Sequence, residues 1–376
     1  MQKGQLMKSI LYIMLLFLTL TANAQNAGTP SDDSLHTDVH AALVVITPGD
    51  TPASLLGHIA IRMWCPSAKL DYCFTEKITD WGNEFVTAVF KRVKVGIVPE
   101  ETKMFREDYR SQGRGITEYE LDLTLEEKRK LWMLLDKEVC KGLANDMDYV
   151  TNGCAIIATN MVLTAISDRH IDLTTIIDKY IDGNTRREIL LRYKGFDSWE
   201  GFIGHSIFSG KLDDKVTGDA KLIMPQDVIT IFKAANITSG KNVICRPTVK
   251  AKDDTYLSPL VFALIFLALC IVRIDIMDYP IMALHTILSL FYFSVVFVSD
   301  APGTEWNWLV IIFNPAISVL FWLRNPKIQW AIGIITLIFM IFMLFKLNST
   351  FCISQLLIVG GYLTRYIYKI YKLTQN

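Results

Sequence analysis

The chain has 376 residues and equal numbers of basic and acidic side chains, 38 of each sign. This balance excludes the strongly basic surface of a nucleic-acid-binding protein. The sequence also lacks a glycine-rich phosphate loop and a zinc-type cysteine pairing, so we predict no cofactor and no metal. A mean hydropathy of +0.30 is too high for a single soluble domain. Charged residues crowd positions 32–254, whereas Leu, Ile, Phe and Val dominate positions 257–366, so we expect one half in water and the other in lipid.

The N-terminus has the three parts of a signal peptide. Two lysines precede the apolar residues 10–20, and the small-x-small sequence Ala22-Asn23-Ala24 follows. We expect cleavage after Ala24, which removes residues 1–24 and exports the rest of the chain. An uncleaved anchor is the alternative, but the apolar run is short for a membrane span.

The exported half begins with segments typical of strands. The sequence predicts a strand over 41–47, a turn at Pro48-Gly49-Asp50 and a second strand over 58–64. Since side chains alternate along a strand, His58 and Arg62 are expected on the same face of the second strand.

Two more strands and a capped helix follow. The strands are predicted at 71–74 and 117–122. Thr124 is the expected N-cap of the helix and Glu127 completes a capping box, so the helix should run to about Cys140.

Cys154 is predicted to lie in the first turn of a later helix. Asn152 or Thr151 can act as the N-cap, and Ile157 and Met161 supply an apolar face. Unpaired N–H groups at a helix N-terminus favour a thiolate and are expected to lower the pKa of Cys154. The residue is therefore a candidate nucleophile, with packing of the helix against a sheet as the alternative role.

His58 is the predicted partner of this thiol. A thiol nucleophile needs a base, and a histidine on a polar strand face commonly supplies it. Gly57 precedes His58 and Arg62 shares its face, which indicates a lined cleft, although a lone strand histidine is more often structural. The other histidines of the exported half lie in loops or at element ends, and His205 is the one rival among them.

Five apolar segments in the C-terminal half are predicted to cross the membrane. They are residues 257–272, 279–298, 308–323, 328–345 and 351–366. With the N-terminal half outside, six basic residues fall on the cytoplasmic side and only Lys346 falls in an outer loop, which agrees with the positive-inside rule. We therefore expect an inner-membrane protein with a periplasmic domain over 25–252, a membrane domain over 253–376 and a cytoplasmic C-terminus.

Two polar residues lie inside these segments. His285 and Asn314 are costly in hydrocarbon and are therefore candidate site residues. An interhelical hydrogen bond that only stabilises the bundle is the alternative role.

Several stretches of the sequence resemble the Lnb-type lipoprotein N-acyltransferases. The matching stretches are Gly57–Arg62, Asp71–Phe74, Tyr109 with Gly113-Arg114-Gly115, Glu118–Thr124 and Asn152-Gly153-Cys154-Ala155. An early-strand histidine followed by a helical cysteine is similar to circularly permuted papain-like enzymes. The resemblance implies an α+β fold, with a permuted papain-like, NlpC-type periplasmic domain followed by an all-α bundle of about five transmembrane helices.

The sequence departs from the family pattern near both expected catalytic residues. Gly153 stands where the family usually has Asn before the nucleophilic cysteine, and Ile156 and Ile157 stand where Thr and Arg are expected. Cys73 occupies the expected position of the third polar member of the site. The cysteine and the histidine match the family, whereas the orienting residue does not.

The resemblance implies a cysteine-dependent acyltransferase. Cys154, deprotonated by His58, would take an acyl chain from a membrane phospholipid as a thioester and pass it to the N-terminal amine of a diacylglyceryl-cysteine lipoprotein. These two lipids are the expected partners, with no nucleic acid and no obligate protein partner. The residues expected to bind or orient them are Arg62, Tyr72, Tyr109, Arg114 and Asn152. The two arginines are the candidates for holding a lipid phosphate.

Two other functions stay open from the sequence. A cell-wall peptidase or amidase of the NlpC type would use the same thiol and imidazole on the same fold, but would have little use for a multi-span anchor. A non-catalytic, membrane-anchored binding protein would need neither side chain.

Overall fold

The computed structural model describes most of the chain beyond its N-terminus. The described residues are 37–51, 54–78, 82–148, 151–193, 199–248, 257–272, 274–305, 353–375 and separate positions between 307 and 341. The predicted signal peptide, 1–24, and the predicted boundary between the two halves at 252 lie outside them. Residues Val39–Asn376 form one compact unit.

An antiparallel sheet of seven strands, as far as the structure describes the chain, forms the centre of the first half. In chain order the strands are β1 (His40–Ile46), β2 (His58–Cys65), β3 (Leu70–Ile78), β4 (Lys94–Glu101), β5 (Ile116–Leu121), β6 (Asn145–Asp146) and β7 (Thr238–Cys245). Their order across the sheet is β6-β4-β3-β2-β1-β5-β7. The four predicted strands are thus confirmed to within a few residues.

Short helices connect and cover the strands. They are α1 (Glu84–Phe90), α2 (Thr102–Ser111), α3 (Leu125–Lys141), α4 (Cys154–Ala165), α5 (Leu173–Tyr180), α6 (Arg186–Leu190), α7 (Trp199–Ile207), α8 (Ser209–Leu212) and α9 (Pro225–Ala234). The predicted capping box of α3 is present, since the Thr124 hydroxyl accepts from the Glu127 N–H and the Glu127 carboxylate accepts from the Thr124 N–H. The mixed helix and strand composition predicted from the sequence is therefore confirmed.

The two faces of the sheet are covered by different helices. On one face, buried residues of α3, α4 and α9 pack on Ile59, Ile61 and Phe74 to form the main core. On the other face, Phe105 of α2 packs on a smaller cluster that includes Ala60. Helix α4 therefore brings Cys154, its first residue, against the core side of the sheet.

The described elements of the second half are helices. They are α10 (Pro259–Ile271), α11 (Asp278–Phe297), α12 (Leu309–Ile312) and α13 (Ile353–Gln375). Among the described residues, the segment Asp275–Phe297 is the one helix long and apolar enough to cross a membrane. About half of the residues in each of the predicted spans 308–323 and 328–345 lie outside the described residues, so the bundle of five spans stays a prediction.

His285 lies fully buried on α11. Its Nδ1 is 3.2 Å from the Ser289 hydroxyl oxygen, and its Nε2 is 3.4 Å from the carbonyl oxygen of Ile312 on α12. The Asn314 carbonyl accepts the Ile317 N–H at 3.0 Å. These contacts of His285 match the interhelical hydrogen bond that the sequence left as an alternative.

Candidate active site

The candidate site is an opening between β2 and β3. The ladder between these strands runs from Cys65↔Leu70 to Ile61↔Phe74, although β2 continues to His58 and β3 to Ile78. Beyond Phe74, β3 pairs with β4 alone. We call the space between residues 58–60 and residues 75–78 the opening. At this point the Ile59 N–H of β2 is directed at the sulfur of Cys154.

The thiol of Cys154 reaches the opening from the N-terminus of α4. Backbone N–H groups of Ile59, Ala155 and Cys154 itself are directed at its sulfur. The N-cap is Gly153, in an extended conformation and with no side-chain cap, rather than Asn152 or Thr151. That part of the sequence prediction was wrong, because the Thr151 N–H is held by the Asp148 carboxylate at 3.1 Å one turn earlier. An uncapped first turn leaves its N–H groups free for the sulfur.

His58, the first residue of β2, is held across the opening by Thr75. Its Nε2 lies 2.7 Å from the Thr75 hydroxyl oxygen, and its ring stacks on Tyr109 with 6.0 Å between centroids. No hydrogen bond to Nδ1 is found among the described residues. When Nε2 donates its proton to the hydroxyl, Nδ1 is the basic nitrogen that can accept a proton from a thiol.

Arg114 and Tyr109 connect the histidine with the cysteine. The Arg114 guanidinium carbon lies 4.9 Å from the Tyr109 ring centroid, and its Nε donates to the Thr47 carbonyl at 2.8 Å. Arg114 is close enough to His58 for its charge to lower the pKa of the imidazole, and a thiolate at Cys154 would act to raise the pKa of both Arg114 and Tyr109. The structure therefore brings together His58, Cys154, Tyr109 and Arg114, four of the residues singled out from the sequence.

The thiol and the imidazole are both neutral at pH 7. Desolvation by the surrounding protein, followed by the charge of Glu76, raises the pKa of Cys154 to about 12. Burial and the charges of Arg114 and Lys77 lower the pKa of His58 to about 4. The expectation of a lowered cysteine pKa was wrong, because desolvation outweighs the three N–H groups. A neutral thiol and a neutral imidazole can react by proton transfer during attack, without a standing thiolate–imidazolium ion pair.

Residues 32–183 match the family model of the Lnb N-terminal periplasmic domain. This segment is similar to an Lnb N-terminal periplasmic domain, and we call it the Lnb domain. The match confirms the resemblance that the sequence motifs indicated, and it includes every residue of the opening, although it covers less than half of the chain. No curated protein and no solved structure matches the chain.

Two members of the opening in the Lnb domain were missed from the sequence. Thr75 supplies the hydrogen bond to His58 that was sought at position 73. Cys73 instead lies under α2, fully buried and 3.5 Å from the Thr102 hydroxyl oxygen. Glu76 is the second, and its Oε1 is buried without a hydrogen-bond partner among the described residues. The alternation of β3 was the available signal, since positions 73 and 75 share a face and 76 lies on the other.

Three predicted site residues of the Lnb domain lie away from the opening or have other contacts. Arg62 donates to Asp71 at 2.8 Å and to Glu118 at 3.0 Å, and its guanidinium lies over the Trp64 ring. Tyr72 is half-buried and packs at the edge of the main core. Asn152 precedes the N-cap, and its N–H donates to the Asp148 carbonyl at 3.1 Å. Their roles in binding substrates stay predictions.

His205, the rival histidine, lies outside the opening. It is buried on α7, with Nδ1 2.6 Å from Nη1 of Arg187, which also pairs with Asp213. Burial and the charge of Arg187 lower the pKa of His205 to about 3. The described residues contain no group of three metal-binding side chains.

Helices next to the opening are linked by contacts to the apolar half. Helix α1, which follows β3, packs Val89 and Phe90 on α11, and the Val89 carbonyl accepts from the Ser299 hydroxyl at 2.6 Å. Before α4, Asp148 pairs with Lys211 of α8 at 2.8 Å. The neighbouring helix α7 is held by Asn307, whose side-chain amide donates to the Ser206 carbonyl at 2.6 Å. The Lnb domain thus contacts the apolar half directly through α1, the helix that follows β3.

Proposed function

We propose that this protein is a membrane-bound acyltransferase. It moves an acyl chain from a phospholipid, through a thioester on Cys154, to the N-terminal amine of a diacylglyceryl-cysteine lipoprotein. The observation that carries the proposal is a thiol at a helix N-terminus, inside an opening of the sheet framed by a histidine, in a domain of the Lnb family. A thiol activated by a neighbouring base is the arrangement that covalent acyl transfer requires.

In the first half-reaction Cys154 attacks an ester carbonyl of the phospholipid. Its proton moves to Nδ1 of His58 as the carbon–sulfur bond forms. The N–H groups of Ile59 and of the first residues of α4 are available to stabilise the negative charge that develops on the carbonyl oxygen during the attack. The protonated imidazole then gives its proton to the leaving alkoxide, which departs as a lysophospholipid and leaves the acyl chain on sulfur.

In the second half-reaction the lipoprotein amine attacks the thioester carbonyl. The carbon–sulfur bond breaks, an amide forms, and the thiol is restored through His58. An amine is a much better nucleophile than water toward a thioester, so a dry site favours the transferase over hydrolysis. The products are a triacylated lipoprotein, or an acyl-shifted lyso form when the donor is the lipoprotein's own ester.

Arg114 is the proposed ligand of the donor phosphate. It is 6 % exposed, and its Nη2 has no hydrogen-bond partner among the described residues. A buried guanidinium with an unused donor is costly unless an anion binds it. Its position beside the thiol suits a phosphate near the ester that is cleaved.

We also propose the finer architecture that this activity needs. The Lnb domain would be a permuted papain-like domain in the periplasm, and the apolar half would cross the inner membrane about five times with a cytoplasmic C-terminus. Support comes from the order of histidine strand and cysteine helix, and from the membrane-length helix Asp275–Phe297. A catalytic domain whose two substrates are lipids must stay at the bilayer surface.

The test is expression of the chain in cells that lack their own lipoprotein N-acylation. Mass spectra of lipoprotein N-terminal peptides are expected to show conversion of the diacylated form to the triacylated or lyso form. The Cys154→Ser variant should show none, because a serine hydroxyl without a lowered pKa is a far weaker nucleophile at this site. Cys140→Ser is the matched control, since Cys140 is exposed on α3.

The same experiment separates the competing functions. A diacylated signal that persists despite good expression would contradict the acyltransferase. Release of amide-linked cell-wall fragments that depends on Cys154 would identify a peptidase or amidase. A phenotype that Cys154→Ser leaves intact would identify a binding protein.

A further inference from the structure

Glu76 is a half-buried acid near the thiol that the proposed steps do not use. It lies on β3 beyond the last β2–β3 pair, two residues after Phe74, so its side chain is on the sheet face that α4 covers. The residue is half-buried, but its Oε1 is buried and has no hydrogen-bond partner among the described residues. A buried carboxyl oxygen without a partner carries a free-energy cost that a bound donor would remove.

The carboxyl group lies close enough to Cys154 to act on it. Apart from desolvation, the charge of Glu76 is the largest influence that raises the pKa of the Cys154 thiol. The cationic groups near the site, Arg114 and Lys77, act on His58, and Lys77 is paired with Glu100. No basic side chain among the described residues pairs with Glu76, and its buried Oε1 has no hydrogen-bond partner among them, so the carboxyl group is available to a cationic group of a substrate.

The proton affinity of Glu76 suits an amine. Desolvation raises the pKa of Glu76 to about 8, so the group is mostly protonated at pH 7. A peptide α-amine has a pKa of about 7.7–8.0. A carboxyl and an amine of similar proton affinity exchange a proton at little free-energy cost in either direction. A side chain with an ordinary carboxyl pKa would bind the ammonium but hold it as an unreactive cation.

We propose that Glu76 binds the α-ammonium group of the acceptor lipoprotein and removes its first proton. The inference rests on the proposed function and adds the group that selects an amine over water as the acceptor. In this scheme each substrate has its own binding residue at the opening. Arg114 binds the phosphate of the acyl donor, and Glu76 binds the amine of the acceptor.

The proton balance of the step is complete. Glu76, which is mostly protonated at pH 7, releases its proton to solvent as the ammonium binds, and the carboxylate then takes one proton from the ammonium, which leaves a neutral amine with a free electron pair. That pair forms the bond to the thioester carbonyl carbon, and Nδ1 of His58 takes the second proton from nitrogen. The electrons of the carbon–sulfur bond leave with sulfur, which receives the proton from His58. Glu76 is then protonated again, as it was before the amine bound.

The test measures the two half-reactions separately on the purified full-length protein. Vesicles of phosphatidylethanolamine and phosphatidylglycerol serve as donor, and intact-mass spectrometry follows the acyl-enzyme. A synthetic S-diacylglyceryl-cysteinyl peptide is then added, and the ratio of acylated peptide to free fatty acid reports aminolysis against hydrolysis. The variant is Glu76→Gln, and Glu101→Gln, at an exposed carboxylate on the neighbouring strand β4, is the matched control.

We expect Glu76→Gln to form the acyl-enzyme at a rate within twofold of the unmodified protein. Its ratio of aminolysis to hydrolysis should fall at least tenfold, whereas Glu101→Gln should keep the ratio. Aminolysis by the unmodified protein should rise with pH up to about 8, where Glu76 and the amine both lose their protons. In the Glu76→Gln variant, the share of this rise that comes from deprotonation of Glu76 should be absent.

Three outcomes would overturn the inference. An unchanged ratio in Glu76→Gln shows that Glu76 does not handle the amine. A Glu76→Gln variant that folds, by its melting curve, but no longer forms the acyl-enzyme shows a role in the donor step instead. Failure of the unmodified protein to form any acyl-enzyme overturns the proposed function itself, and the inference with it.

Discussion

The two ends of the β2–β3 pair use the same kinds of charged residue for different purposes. At the paired end, Arg62 is bonded to Asp71 and Glu118, and Arg106 bonds Glu118 from α2. At the open end, Arg114 is buried and Glu76 half-buried, and each keeps a buried atom without a hydrogen-bond partner among the described residues. One end has its charges neutralised within the fold, and the other has them available to a ligand.

The difference follows from strand pairing. Where the ladder is continuous, the side chains of adjacent strands stand about 5 Å apart and opposite charges meet. Where β2 and β3 separate, the first residue of α4 reaches the sheet, and no ion pair between Glu76 and Arg114 is found among the described residues. A buried charged residue that has no partner within the fold is therefore a better indicator of a substrate contact than a charged residue that the fold already pairs.

Replacing the paired arginine should produce the largest change in stability. Arg62→Met removes the counter-charge of Asp71 and part of that of Glu118, which is expected to cost about 3 kcal/mol. A loss of that size corresponds to a fall of roughly 6–12 °C in the melting midpoint, measured in detergent. Acyl-enzyme formation at low temperature should stay within twofold of the unmodified protein.

The opposite pattern would restore the role that the sequence predicted for Arg62. An Arg62→Met protein with an unchanged melting midpoint and a lost donor step would mean that this guanidinium binds lipid phosphate. Arg62→Lys keeps the charge but loses the two parallel hydrogen bonds to Asp71. Its melting midpoint should lie between those of the unmodified protein and the Arg62→Met variant.

Replacing the unpaired arginine should change activity more than stability. Arg114→Met is expected to lower acyl-enzyme formation from phosphatidylglycerol about 10–100-fold, since one charge-assisted contact contributes about 1.5–3 kcal/mol. Acylation from a neutral diacylglycerol, which has no phosphate, should be affected much less. The melting midpoint should not fall, because burial without an ion pair already disfavours the guanidinium and lowers the pKa of Arg114. Equal losses with both donors would contradict phosphate binding.

The sequence predicted local structure and catalytic residue types better than it predicted their surroundings. Alternation and capping located β1, β2 and α3, because those signals depend on neighbours in the chain. Cys154 and His58 were found from residue type and motif. The opening was not predicted, because it depends on where the β2–β3 ladder stops, which no local pattern records.

The same limit explains the errors. The thiol pKa was expected to be low from the helix N-terminus alone, but the net shift depends on how much protein surrounds the sulfur. The orienting residue was sought at Cys73 from the family pattern, whereas Thr75 is next to His58 only because the strands have separated. The five predicted spans depend on hydropathy, and of these the structure describes one helix of membrane length.

The smallest expected effect concerns Thr75, and it tests whether the opening holds the histidine in place. Thr75→Val keeps the shape of the side chain and removes the hydroxyl at 2.7 Å from Nε2. Loss of one hydrogen bond of about 1 kcal/mol should lower the rate constant of acyl-enzyme formation about 5–10-fold, with little change in the donor concentration at half-maximal rate. Thr75→Ser restores the hydroxyl and should recover most of the rate.

The pH profile distinguishes positioning from a general loss of structure. Because burial and nearby cations lower the pKa of His58 to about 4, the imidazole can accept a proton at any pH above that value. The unmodified protein should therefore lose acylation only as the pH falls toward 4, rather than near the usual histidine value of about 6.5. A Thr75→Val profile with a lower plateau and an acid limb that stays close to pH 4 would mean that the hydroxyl orients the ring. An unchanged plateau, or a loss that Thr75→Ser does not recover, would mean that the site works without this hydrogen bond.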